Sequence, residues 1–136
     1  MHTPAPPKTM QSMVNSYGNV VSDIKKIFKK TIKKLEKSKI PASKVWFDPG
    51  IGFGKNDNHN IKIFKDLALF HYLKSHILIG ASRKSMIGRI TNTKVSERLP
   101  GSISLAIASI EKGVKFLRVH DIKETKQALT LWNKIN

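Results

Sequence analysis

Three short apolar runs constrain this chain more than any other feature in it: VWF at 45–47, ILIG at 77–80 and FLRV at 116–119. Counted from Val45 to Ile77 to Phe116, they begin 32 and 39 residues apart. An amphipathic stretch of helical period fills each gap. Strand and helix alternating at that distance is the pattern of right-handed βα units on a parallel sheet. The expected strands run over 44–48, 76–80 and 115–119. The expected helices cover 19–38, 58–73, 97–112 and 121–135, and a short one follows ASRKSMIGRI. Residues 1–18 carry three prolines among the first seven and fit neither helix nor strand, so they read as loop. No strand precedes the first helix. An α/β sheet does not naturally begin on a helix, so the chain reads as cut.

The helical stretches show which faces should turn inward. In the first, Ile24, Ile27, Phe28, Ile32 and Leu35 form an apolar stripe, and lysines cover the rest. Ser22 or Asp23 serves its start. In the second the inward set is Ile61, Phe64, Leu67, Ala68 and Tyr72. In the third it is Leu99, Ile103, Ile107 and Ile110, with Pro100 tolerated in the first turn and Gly113 as the cap. The last places Ile122, Leu129, Trp132 and Ile135 on one side.

Composition narrows the partners. A length of 136 residues suits one domain. The formal charge of +16 admits a nucleic-acid interface. However, Lys supplies 21 of the 25 cations and Arg, the usual reader of bases and phosphates, only four. The excess crowds the first helix and reads as a solvated face, with a membrane-surface helix as the lesser option. There is no cysteine, so disulfides and thiolate metal sites are excluded. No apolar run approaches a membrane span, no signal peptide opens the chain, and the expected location is cytoplasmic.

Each run hands polar groups to the loop at its carboxyl end. The first ends in Asp48, then Pro49 and three glycines, Gly50, Gly52 and Gly54. A bare D-P-G is also a common solvated turn. At a strand's carboxyl end, however, such a loop presents a carboxylate and accessible backbone N–H groups. The second run gives Ser82, Arg83, Lys84 and Ser85; the third gives Arg118 and His120, with Asp121 capping the last helix. Arg83 reads as a surface charge, and His120 also suits a cap. Arg118 in an apolar strand is costly unless paired. A carboxylate accepts in parallel from a flat heterocycle with two N–H groups, and clustered cations suit an anion such as diphosphate. His2, His59, His71 and His76 make no metal spacing and read as structural or exposed. Neither G-x-x-x-x-G-K-[ST] nor G-x-G-x-x-G is present, because Lys55 stands where the third glycine belongs.

Three motifs stand in order: FDPGIGFGK at 47–55, GASRKSMIG at 80–88 and LRVHDIKET at 117–125. MH at 1–2, PKTMQ at 7–11 and SERLPGS at 96–102 accompany them. Together they resemble the carboxyl-terminal half of the dihydropteroate synthase family, over the whole length. The resemblance implies an α/β fold, a partial (β/α)₈ TIM barrel of about three parallel strands with flanking helices. Residues 1–136 would then be the carboxyl-terminal part of a pterin-binding barrel domain. It implies condensation of 6-hydroxymethyl-7,8-dihydropterin diphosphate with 4-aminobenzoate in folate biosynthesis, with Mg²⁺ as cofactor. By the same resemblance Asp48 binds the pterin's amino-pyrimidine edge and Lys84 its carbonyl side. Met1 packs on the pterin, Phe53 and Ser82 lie beside the aminobenzoate, and Ser85 holds its carboxylate. Arg118 and His120, with Val119 between them, bind diphosphate; Lys84, Arg118 and His120 are the catalytic set. The Mg²⁺ ligand belongs to the family's first half, and Thr3-Pro4-Ala5 replaces the usual continuation after His2. A separate amino-terminal half-barrel or a homodimer is the implied partner. The rival reading is a degenerate, non-catalytic half-barrel acting as a basic binding or oligomerising module.

Overall fold

A computed structural model describes residues 1–73 and 75–136. Strands β1 (Trp46–Phe47), β2 (His76–Ile79) and β3 (Phe116–Leu117) form one sheet in the order β1-β2-β3. Both pairings are parallel, with Trp46 opposite His76 and Leu78 opposite Phe116. Helices α1 (Val20–Lys37), α2 (Asp57–Lys65), α3 (Ser85–Thr91), α4 (Leu99–Glu111) and α5 (Ile122–Ile135) connect and flank them. This is the expected run of βα units, with shorter strands than the sequence implies.

Side chains alternate across a strand, so the sheet has two different faces. Phe47, Ile77 and Ile79 lie on the helix side, buried with Val20, Ile24 and Phe28 of α1 and Ile63 and Phe64 of α2. The other face carries Trp46, His76, Leu78 and Phe116. Trp46, His76 and Phe116 form an aromatic cluster with ring centroids 5.2–5.6 Å apart. Nothing among the described residues covers it: Trp46 is 48% exposed and Phe116 36%. A closed barrel fills that face with side chains from its other strands.

Several expected faces shift, each for a local reason. In α1, Asn19 is the N-cap, accepting from Ser22 N at 3.1 Å, while Asp23 reaches back to the N–H groups of Gly18 and Asn19. The buried stripe of this helix is Val20, Val21, Ile24 and Phe28. Ile27 falls on the flank among lysines and is 47% exposed. The expected single helix over 58–73 is two pieces: α2 ends at Lys65, and a 3₁₀ helix covers Leu67–Leu73. Leu67, Phe70 and Leu73 recur every third residue, the period of a 3₁₀ helix, and are the buried positions. That change of phase leaves Ala68 and Tyr72 exposed, while within α2 the buried apolar positions are Ile63 and Phe64. Residues 1–18 are not all loop, because Met10–Ser16 is also 3₁₀. Local bonds from the Ser12 and Ser16 hydroxyls to the Thr9 and Met13 carbonyls support it.

On α4 the outcome inverts the expectation. Small residues, Ser102, Ala106 and Ser109, face inward, while Leu99, Ile103 and Ile107 line an open groove with Pro100 and Glu111. Close approach decides this: a Cβ on Gly101 would come within 2.4 Å of Ile87 in α3. Gly113 does follow α4 as the expected cap residue, at φ +81°. On α5 only Thr125 is buried. Ile122 and Ile135, expected inward, are exposed, because α5 packs chiefly on α4.

Phe70 is fully buried, its ring 6.0 Å from that of Phe28. Phe70→Ala should lower the unfolding free energy by about 3–5 kcal/mol, read from urea denaturation. Leu131→Ala, at a position 64% exposed, should change it by no more than about 0.5 kcal/mol.

Candidate functional site

A parallel sheet delivers all its strand ends to one edge. Continuing the alternation past each strand keeps Asp48 on the face of Trp46, Gly80 on that of Leu78, and Arg118 and His120 on that of Phe116. The candidate site is therefore the upper rim of the uncovered face.

The loop after β1 is shaped by its glycines. Asp48 is half-buried, and its Oδ1 accepts from Gly50 N at 2.7 Å. Its carbonyl accepts from His2 N, also at 2.7 Å. Gly50 sits at φ +74°, and a Cβ there would lie 2.0 Å from the His2 carbonyl oxygen, so only glycine fits. Gly52 N donates to Asn60 Oδ1 at 2.9 Å, anchoring the loop to α2. Burial pushes the Asp48 carboxyl upward; the Gly50 N–H, the terminal ammonium, Lys84 and Lys55 act against that rise.

Lys84 stands opposite. Its ammonium lies 4.1 Å from the centroid of the Phe53 ring, in cation–π contact. Burial lowers its pKa, Asp48 raises it and Arg118 lowers it, so these three charges share one field. Arg118 is exposed at the rim, with its N–H on the Ile79 carbonyl at 2.9 Å. The cost expected for a cation inside an apolar strand does not arise, because β3 ends at Leu117.

Ser82 is buried and meets His120 twice: it accepts from His120 N at 3.2 Å, and its Oγ lies 3.1 Å from Nδ1. A hydroxyl that accepts from that N–H and donates to Nδ1 leaves the ring proton on Nε2. His120 is thereby oriented rather than used as a helix cap. Arg83 is exposed, as expected, and forks onto Asp121, with Nε 3.0 Å from Oδ2 and Nη2 on Oδ1. Asp121 holds the N-cap position of α5, but its carboxylate is taken by Arg83 and makes no capping bond.

The rim thus gathers Asp48, Phe53, Ser82, Lys84, Arg118 and His120. Ser85 is exposed as the first residue of α3, and Met1 is exposed beside the His2–Asp48 contact. Val119 turns the other way, half-buried beside Ser102, Leu105 and Ala106. No group of three His, Asp or Glu side chains among the described residues gathers to hold a metal. Asp121 is committed to Arg83, and Asp48 sits within the fields of Lys84 and Lys55. These residues alone do not fit Mg²⁺.

Sequence reasoning missed Lys55, whereas His2, expected to be structural or exposed, is structural. Lys55 is 3% exposed; its Nζ donates to the Phe53 carbonyl at 2.9 Å and lies 3.1 Å from His2 Nδ1. His2 is buried too, and burial, with the Lys55 charge, holds it down to about 4. No local signal marks the pair, which is 53 residues apart in the chain.

Comparison with known proteins identifies the family and the fold. Residues 1–120 match the family described as pterin binding enzyme. The chain is 42% identical over 129 residues to the dihydropteroate synthase of Escherichia coli (strain K12), covering 95% of this chain and 45% of that one. The Yersinia pestis dihydropteroate synthase, solved with a sulfonamide drug complex, superposes with a TM-score of 0.93 at 35% identity, over 99% of this chain and 49% of that one. The Thermus thermophilus dihydropteroate synthase, solved in complex with 4-aminobenzoate, superposes with a TM-score of 0.92 at 33% identity, over 99% and 55%. The chain therefore spans about half the length of these relatives. No helix among the described residues is long and apolar enough to cross a membrane.

Burial holds Lys55 down to about 8 from 10.5. Between those values the unfolded chain binds a proton that the folded chain has lost, so stability should rise with pH from about 8 toward 10. Lys84, also lowered, adds in the same direction. Above 10 the sign reverses, because burial raises Tyr17 to about 12 and the unfolded chain then releases its proton first. Urea midpoints measured from pH 7 to 11 should therefore form a dome. Lys55→Met should remove most of the rising limb.

Proposed function

Because this chain belongs to the pterin-binding enzyme family, we propose that it is the carboxyl-terminal portion of a dihydropteroate synthase. The reaction joins 6-hydroxymethyl-7,8-dihydropterin diphosphate to 4-aminobenzoate, giving 7,8-dihydropteroate and diphosphate in folate biosynthesis. One observation carries the reading: Asp48, Lys84, Arg118 and His120 meet on one rim, on one face of the sheet.

The chemistry follows from their charges. The Asp48 carboxylate accepts from the N–H groups of the pterin's amino-pyrimidine edge. Lys84, held over Phe53, donates to the pterin carbonyl side and forms the floor between the substrates. The methylene–oxygen bond breaks as diphosphate leaves with its electron pair. Arg118 and the Nε2–H of His120 stabilise that developing charge. The aminobenzoate nitrogen then bonds to the electron-poor methylene carbon and afterwards loses a proton. It needs no early base, because an aniline is a free amine at neutral pH. Phe53 and Ser82 flank the aminobenzoate ring, Ser85 binds its carboxylate, and Met1 packs on the pterin.

Turnover needs the rest of the barrel. The aromatic face of Trp46, His76 and Phe116 lies open among the described residues, and β1 and β3 each pair on one side only. Unfilled faces and unpaired edges of this kind call for complementary strands. We take these to come from an amino-terminal half-barrel, on the same or a separate polypeptide, in the cytoplasm. Mg²⁺ would then find its ligands in that half. The second reading, a non-catalytic basic module, draws on the lysine-covered face of α1.

The full chain should bind the pterin diphosphate in calorimetry, and Lys84→Ala should weaken binding by about 10- to 100-fold. Dihydropteroate formation should be negligible for the chain alone and appear on adding a matching amino-terminal half, with a blue shift of Trp46 fluorescence. Robust turnover by the chain alone would overturn the need for a second half. Salt-sensitive nucleic-acid binding, indifferent to Lys84→Ala and weakened by removing α1 lysines, would favour the basic module.

A further inference from the structure

Lys55 has no role in the contacts assigned above, yet it is the one buried lysine or arginine among the described residues. No carboxylate lies within ion-pair distance of it there. Instead its ammonium donates to the Phe53 carbonyl and meets the His2 ring, while His2 N donates to the Asp48 carbonyl. Asp48, His2, Lys55 and Phe53 thus form a closed circuit around the glycine loop. The loop has no slack: a Cβ on Gly54 would strike Pro4 at 2.4 Å, and one on Gly50 would lie 3.4 Å from the Lys55 ammonium. At Gly50 the clash is with the His2 carbonyl oxygen, 2.0 Å from such a Cβ, so the loop closes directly on the residue that meets the ammonium.

We propose that Lys55 is a positioning residue for Asp48 and Phe53: its ammonium, held beneath the glycine loop, fixes the loop's shape and supplies positive field to the Asp48 carboxylate. A neutral side chain could hold the loop but not the charge. Burial favours the protonated acid, and a protonated Asp48 would turn one acceptor oxygen into a donor, spoiling its match to two N–H groups. The groups opposing this are the Gly50 N–H, the terminal ammonium, Lys84 and Lys55. Lys84 acts on Asp48 more strongly than Lys55 but faces the substrate side, whereas Lys55 is sealed from it. The other titratable groups around Lys55 are His2 and His59, both pushed down by burial and by Lys55 itself, and Tyr17, whose ring centroid lies 5.7 Å from the ammonium. A neutral His2 keeps the Nδ1 lone pair that the ammonium needs.

The inference rests on the pterin reading only in taking Asp48 as the acceptor, so its first test uses no ligand. In the full chain with aspartate carboxyl carbons labelled with ¹³C, Asp48 should show its own acid titration and a second inflection as Lys55 loses its proton near pH 8. Lys84→Gln should keep the second inflection. Lys55→Met should shrink it and move the acid midpoint up, and Lys55→Arg should restore that midpoint. A purely structural lysine would leave the midpoint in place. An Asp48 signal that runs flat through pH 8 in the wild-type chain overturns the proposal, whether or not Lys55→Met folds. With 6-hydroxymethyl-7,8-dihydropterin diphosphate at pH 7, Lys55→Met should lose about tenfold in affinity, from lost acceptor charge, and Lys55→Arg should recover it. If the wild-type chain takes up no pterin, the functional reading fails, and the ligand-free titration still decides the role of Lys55.

Discussion

Parallel pairing of β1 with β2 and of β2 with β3 is the constraint on which everything else depends. With all three strands running one way, each must release its last residues at the same edge. The two-residue alternation then puts Asp48, Gly80 and Arg118 on one face without any long-range instruction. Antiparallel pairing of β2 would have sent Ser82 and Lys84 to the opposite end of the sheet. The charge cluster is thus a consequence of topology first and of side-chain chemistry second.

What topology brings near, local contacts then aim. Positive-φ glycines let the loop after β1 fold back on itself, so that Gly50 N reaches the Asp48 carboxylate and Gly52 N reaches Asn60. Ser82 orients His120, and Ser102 Oγ accepts from Arg83 N at 2.9 Å, tying the loop after β2 to α4. Asp121 draws Arg83 outward. That leaves Lys84, from the same loop, at the centre of the rim. Two adjacent cations in one sequence motif therefore end in different roles.

The same sheet has a finished and an unfinished face. On the helix side, Phe47, Ile77 and Ile79 share a core with α1 and α2. On the other, aromatic rings meet edge to face in the open directly beneath the charged rim. In a barrel these are successive layers of one interior, with the polar layer uppermost. A rim held over an unfilled core is less rigid than one held over a packed core. Any surface that closed the lower layer would also stiffen the upper one.

The order of strands and helices was legible from the chain alone, because apolar runs at βα spacing admit few arrangements. So were Asp48, Lys84, Arg118 and His120, because strand ends are where such a sheet exposes chemistry. Helix faces were less legible. The α-helix stops at Asp66, and the period-3 burial at Leu67, Phe70 and Leu73 that follows reads in sequence as its continuation; the inward face of α4 was set by how closely α3 approaches Gly101. The contact between Lys55 and His2 was not legible at all. A lysine is buried only when partners from elsewhere in the chain satisfy its donors, and no local pattern records a partner 53 residues away. Sequence by itself determined which residues stand at the strand ends, since that follows from local periodicity. Only the tertiary structure decided which of them share a field and which buried cation supports them, because charge and burial act through space rather than along the chain.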